Sequence, residues 1–263
     1  MSGRETGPPV WVLLRGLSRS AAHWGDFPAR LEAAGLGRAI CIDLPGNGEA
    51  SALASPIDIA AMLTHVRARL GDLHITTAVH VLALSMGGMV ACEWATRYPV
   101  ELRSIVLVNS SLRGISRLTQ RLQPSAWPSL LRLLLWPASD ECWERTIHRL
   151  TSSHAERRDA VVAEWVALRR ARPVSRSNAL RQLLAAARYS APRVAPAVPL
   201  LVLVGLGDVL VDPRCSIALA QRWNVRLVQH PHAGHDLPLD DPHWLIAALL
   251  AWQVDLPKLH LAR

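Results

Sequence analysis

The chain runs to 263 residues, half of them hydrophobic, with four cysteines and a formal net charge of +8. That length buries a large core in one domain, or in one domain carrying an insertion. No internal repeat is visible, no apolar run reaches the ~18 residues of a membrane helix, and Cys41, Cys92, Cys142 and Cys215 show neither a C-x-x-C pair nor metal-ligand spacing. These features exclude a repeat array, a membrane span and a cysteine metal cluster.

The opening MSGRETGPPV lacks the basic-then-apolar order of a signal peptide, so a cytoplasmic location is the default expectation. The first strand is expected at VWVLL (10–14). Pro28, just after Asp26 and Phe27, opens a helix through ARLEAA, and a second strand follows at RAICID (38–43). Ser55 before Pro56 reads as an N-cap with proline at the first helical position of IDIAAMLTHVRARL. Strands at VHVLAL (79–84) and SIVLV (104–108) flank a helix over 86–97. Strands at LLVLV (200–204) and VRLVQ (225–229) flank another over 213–222, and a last helix covers 241–252. Short, continuous apolar runs suit parallel strands covered on both faces. Their alternation with helices predicts an α/β fold, a mostly parallel open sheet with helices on both faces. Only nine residues precede the first strand, so antiparallel edge strands ahead of it are expected to be rudimentary or missing.

The stretch 112–193 breaks this rhythm with helical patterns and no convincing strand. Trp143, Ile147 and Leu150, then Val161, Trp165 and Leu168, then Leu180, Leu183, Leu184 and Ala187 recur at helical spacing. An all-helical insertion over 112–193 is expected between two core segments, 1–111 and 194–263. The insertion holds 15 arginines against six acids, +9, while the remainder nets −1. Such clustering suits a negatively charged partner or a solvated basic face. Trp127, Trp136, Trp143 and Trp165 fall among apolar helix positions that read as core, and no nucleic-acid motif is present, so no nucleic-acid role is expected.

The chemistry concentrates at three places. In LALSMGG (82–88), Ser85 lies between a strand and a helix, where a nucleophile elbow requires small neighbours at −2 and +2; Ala83 and Gly87 satisfy this. A serine hydroxyl needs a base, a group to orient that base, and donors for the oxyanion. In HPHAGHDLPLDDP, His235 follows the last strand and is the expected base, with His230 and His232 as loop or supporting residues; metal and cofactor are not expected. Asp208, four residues beyond Val204, is the expected orienting acid, whereas Asp212, before Pro213, suits capping of the next helix. The backbone N–H groups of Met86 and of Leu17, in the loop after the first strand, are the expected oxyanion donors.

The order Ser85, Asp208, His235, together with DLPGNG (43–48), LALSMGG and AGHDLPLDDP, resembles the α/β-hydrolase superfamily over about residues 10–252. The resemblance implies a serine hydrolase, with the helical insertion as its lid or cap. Two positions depart from the family pattern: Ala83 replaces a glycine, and Arg15-Gly16 replaces His-Gly, leaving the local support of the histidine side chain in question. Arg15 reads as a salt-bridged scaffold residue or as a contact for an anionic substrate group. Cleavage of a carboxylic ester through an acyl-enzyme is the activity expected, with thioesters or amides on the same triad, or a non-catalytic ligand-binding role, as alternatives. The chain is generally similar to pimeloyl-acyl-carrier-protein methyl ester esterases of biotin synthesis. That similarity implies an acidic carrier protein as partner, with Arg145, Arg149, Arg157 and Arg158 as candidate contacts.

Overall fold

The structure, a computed structural model, describes residues 7–261; the first six and last two residues of the expected core segments lie outside the described residues. Six strands, β1 (Val10–Leu14), β2 (Arg38–Ile42), β3 (Val79–Leu84), β4 (Leu102–Val108), β5 (Leu200–Gly205) and β6 (Arg226–His230), form one sheet in the order β2-β1-β3-β4-β5-β6. Every pairing in it is parallel. All six sit where the apolar runs predict them.

The helices are α1 (Phe27–Ala33), α2 (Ile59–Asp72), α3 (Met86–Arg97), α4 (Leu118–Arg121), α5 (Trp127–Leu135), α6 (Asp140–Thr151), α7 (Arg158–Ala171), α8 (Arg176–Arg188), α9 (Arg214–Trp223), α10 (Leu237–Asp240) and α11 (Pro242–Leu261). Alternate residues of each central strand enter two separate cores. Val10, Val12 and Leu14 pack with Met62, Val90 and Leu219 of α2, α3 and α9. Trp11 and Leu13 pack with Phe27, Leu31, Leu245 and Leu249 of α1 and α11. The period-two pleat therefore buries both faces, and the near-continuous apolar runs follow from that.

Between β4 and β5 the described residues form the helices α4 to α8 and no strand beyond isolated bridges at Arg113. Three local expectations are corrected. The cap of α2 is Asp58, whose carboxylate accepts from Ala60 N and Ala61 N. Ser55 is buried instead, donating its hydroxyl to Pro45 O and its amide to Asn178 Oδ1 of α8. In α8 the expected apolar face is half exposed at Leu180 and Leu184, and the buried residues are Asn178, Ala179, Gln182 and Ala185. Gln182 Nε2 donates to Asn47 Oδ1 and Ser55 Oγ, so this helix docks through amides on the 45–55 loop. Trp143 and Trp165 are core as expected, but Trp127 and Trp136 are exposed.

The chain leaves β1 for β2 on one side and returns past it to β3 on the other. Adjacent strands that part in opposite directions open a crevice at their carboxyl ends. The loop after β1 and the junction after β3 meet there.

Candidate active site

Ser85 alone joins β3 to α3, with φ +55° and ψ −118°, a conformation that a residue with a Cβ adopts only under constraint. The constraint is visible. Ser85 N donates to Val108 O at 2.9 Å, and Ser85 O accepts from Gly88 N at 2.9 Å and Ser110 Oγ at 3.2 Å. A Cβ on Gly87 would lie 2.6 Å from Leu14 O, and one on Gly16 would lie 3.1 Å from Ser85 Cβ, so β1, its loop and the turn pack at contact distance. Ala83 is fully buried in β3, paired with Leu14 and Leu107.

Asp208 follows β5, buried at 4% exposure. Its Oδ1 accepts from Leu210 N and Val211 N, both at 2.9 Å, and its Oδ2 lies 2.6 Å from His235 Nδ1. With both amides on Oδ1, Oδ2 is left to accept from the imidazole, which places the ring proton on Nδ1 and leaves Nε2 bare. Asp212 instead accepts from Arg214 N and pairs with the Arg214 side chain at the start of α9. His230 accepts from Ala233 N and lies 3.2 Å from Asp241, a loop-shaping role. Among the described residues no His, Cys, Asp and Glu group could hold a metal ion. Burial pushes the thiols of Cys41 up to about 12 and Cys215 up to about 11, so neither competes as nucleophile.

Ser85, His235, Leu17 and Met86 line one cavity of about 210 Å³, roofed by cap residues that include Leu133, Trp143, Ile147 and Leu183. Met86 is the first residue of α3, and its amide belongs to the helix-start N–H groups that have no intrahelical acceptor.

Two supporting residues escaped sequence reasoning. Asn109, with φ +45° just past β4, donates from Nδ2 to Gly234 O and His235 O and accepts from Gly205 N. It ties the histidine loop to two strand ends. The signal is the polar NSS that follows directly on the apolar run IVLV at the end of β4. Asp236, beside His235, receives both terminal nitrogens of Arg15 at 3.0 and 2.5 Å in a buried fork. Arg15 also lies 4.9 Å from the Trp24 ring centroid. The scaffold reading of Arg15 thus has its partner, and the pair spans 221 positions of sequence.

The cap arginines are less uniform than their spacing suggests. Arg145 pairs with Glu141 and Asp159. Arg149 is exposed and donates to Ser129 Oγ, Arg157 is exposed and donates to Leu239 O, and Arg158 is half-buried.

A doubly covered parallel sheet carries a constrained serine at one strand end and a carboxylate-bound histidine beyond another. Residues 11–248 match the model of the alpha/beta hydrolase family, and the chain belongs to that family. It is 28% identical over 259 residues to RutD of Escherichia coli, which carries the provisional name of a carbamate hydrolase; the match covers 92% of this chain and 90% of the relative. Among solved structures it is similar to an enol-lactonase from Burkholderia xenovorans (TM-score 0.78, 19% identity, 96% of this chain and 94% of that one). It is also similar to a thermophilic esterase from Thermogutta terrifontis (TM-score 0.75, 21% identity, 94% and 90%). At such identities the structural likeness concerns the fold. Among the described residues no helix is long and apolar enough to cross a membrane.

Proposed function

We propose that the protein hydrolyses carboxylic esters through an acyl-enzyme on Ser85, with His235 as base and Asp208 as its orienting acid. The observation that carries this reading is the opening of the constrained Ser85 into the same cavity as His235, whose Nδ1 is held by Asp208 at 2.6 Å. His235 Nε2 takes the Ser85 proton as Oγ attacks the ester carbonyl, and Asp208 stabilises the imidazolium that forms. The N–H groups of Met86 and Leu17 receive the oxyanion. His235 then protonates the departing alcohol, and water repeats the sequence to free the acid. A cavity of about 210 Å³ is smaller than the ~300–1,000 Å³ of pockets for drug-sized ligands. That size favours short acyl chains.

Ser85→Ala tests the reading. Hydrolysis of short p-nitrophenyl esters is expected to fall by at least about 10⁴-fold, with wild-type protein gaining the acyl mass on Ser85 during turnover. Unchanged activity in the variant would exclude the mechanism. A matched ester, thioester, amide and carbamate set ranks the leaving groups, the carbamate being included because of the RutD relationship.

A further inference from the structure

Three arginines line the cavity beside Ser85: Arg15, Arg19 and Arg121. A buried cation needs a counter-charge or it is strongly disfavoured. Arg15 has Asp236, and Arg19 has Glu144 at 2.6 Å. Arg121 has no carboxylate among the described residues. It is 91% buried by its 9% exposure, its Nη2 donates to Ala186 O at 2.6 Å, and its Nε is buried with no partner. The other charged or titratable groups that bear on it are Arg113, a second cation, and Cys215, whose thiol burial keeps protonated. Burial itself pulls the Arg121 guanidinium below its usual range. Ala186 lies two residues before the end of α8, and a helix C-terminus offers about half a negative charge, short of a counter-ion.

The remainder of the cavity wall near Arg121 is apolar, with Leu118, Leu122, Leu183 and Ala187. A lone guanidinium in such a wall suits an apolar chain that ends in an anion, since a planar fork of N–H donors matches a carboxylate. We infer that Arg121 is a specificity residue for a substrate carboxylate, so that the preferred substrates are monoesters of short dicarboxylic acids, with the ester at Ser85 and the free carboxylate at Arg121. The inference rests on the ester-hydrolase reading for its turnover assay, and its binding assay does not.

The turnover assay compares monomethyl esters of six- to eight-carbon dicarboxylic acids with methyl esters of the corresponding monocarboxylic acids. Wild-type kcat/KM is expected to favour the anionic member at least tenfold, chiefly through KM, and the preference should shrink with added salt. Arg121→Met should bring the anionic-to-neutral ratio close to one, and Arg121→Lys should restore part of it. A residue that merely braces α8 would lower both members together and leave the ratio standing. A wild-type ratio near one at every chain length, or a ratio kept in Arg121→Met, overturns the assignment.

The binding assay measures monomethyl adipate against methyl hexanoate by calorimetry on Ser85→Ala. Tighter binding of the anionic ester is expected, and equal binding overturns the assignment even if Arg121→Met fails to fold. If Ser85→Ala still hydrolyses esters, the serine mechanism fails while this comparison continues to decide the carboxylate site. If turnover needs Ser85 and the ratio is one, the carboxylate site fails alone.

Discussion

The sheet core and the helical cap are held by different forces. Trp11, Val12, Leu13, Leu14, Val81 and Leu82 are fully buried, and the core's two clusters gain their stability from apolar area removed from water. The cap leaves Leu131, Leu135, Trp136, Leu180 and Leu184 exposed and meets the core through buried polar groups. Arg19 reaches Glu144 of α6, Gln182 of α8 reaches Asn47 and Ser55, and Asp240 takes four donors from Ser152, Ser153 and Gly234. Apolar burial is non-directional and tolerates a shift of position. Hydrogen-bonded charges do not, so the cap is registered over Ser85 by geometry, and the cavity shape depends on a few polar links.

The sharpest way to break that contrast is Glu144→Gln, which leaves Arg19 buried beside the Trp165 ring without its carboxylate. Removing one partner of a buried pair costs about 3–5 kcal/mol, whereas replacing both by apolar residues is often close to neutral. Urea unfolding of Glu144→Gln should show that loss, and the double variant Arg19→Met with Glu144→Met should recover most of it. If the single variant unfolds at the wild-type midpoint, the cap is held by its apolar contacts after all.

A smaller effect at the same seam comes from acid. His23 accepts from Arg19 Nη1 through Nε2, since a guanidinium only donates, and it packs on Trp165 of the cap. Burial first, then the charges of Arg19 and Arg15, hold its pKa well below the ordinary histidine value. His148 of α6 is fully buried with neither ring nitrogen bonded, and burial lowers it too. Both stay neutral in the folded protein while the unfolded chain takes protons below pH ~6.5, so stability is complete above that pH and falls as pH falls through it. Each histidine contributes up to about 1.4 kcal/mol per pH unit in that window. Midpoints measured at pH 7.5, 6.0 and 5.0 should decline, and His23→Gln should flatten the decline. A flat profile in the wild type would exclude neutral, buried histidines at the seam.

The same division decides what could be read from the sequence. Strands buried on both faces write themselves as apolar runs, and the turn at Ser85 needs small residues within two positions, so the four central strands and the serine, aspartate and histidine loops are legible, while the half-exposed edge strands β2 and β6 show only as shorter apolar runs. Cap docking is not legible. Ser55 finds Asn178 across 123 positions and Gln182 finds Asn47 across 135, and such pairs leave no local period. Ser55 before Pro56 imitates a helix start because capping and long-range bonding call for the same hydroxyl. Leu180 and Leu184 imitate a buried face because helical spacing alone does not say which side meets the core. Arg121 does not stand out among the 15 arginines of the insertion for the same reason: its burial and its missing carboxylate are properties of three-dimensional neighbours.

The smallest expected effect sharpens the comparison from the other side. Arg145 makes the same kind of pair as Arg19, bonding Glu141 at 3.1 Å and Asp159 at 2.8 Å, and by distance alone it looks equivalent. Its side chain is 46% exposed against 9% for Arg19, and its two acids are more exposed still, so water already solvates all three charges in the folded protein. Attraction in a high dielectric is weak, is screened by salt and is offset by the entropy of holding long side chains in place. Arg145→Ala should therefore leave the urea midpoint within error of wild type at 0.15 M salt, while Glu144→Gln, one position earlier on α6, moves it by the full cost of an orphaned buried charge. A midpoint shift for Arg145→Ala comparable to that of Glu144→Gln would mean that pairing rather than burial sets the strength of these links, and the contrast between cap surface and cap seam would fall with it.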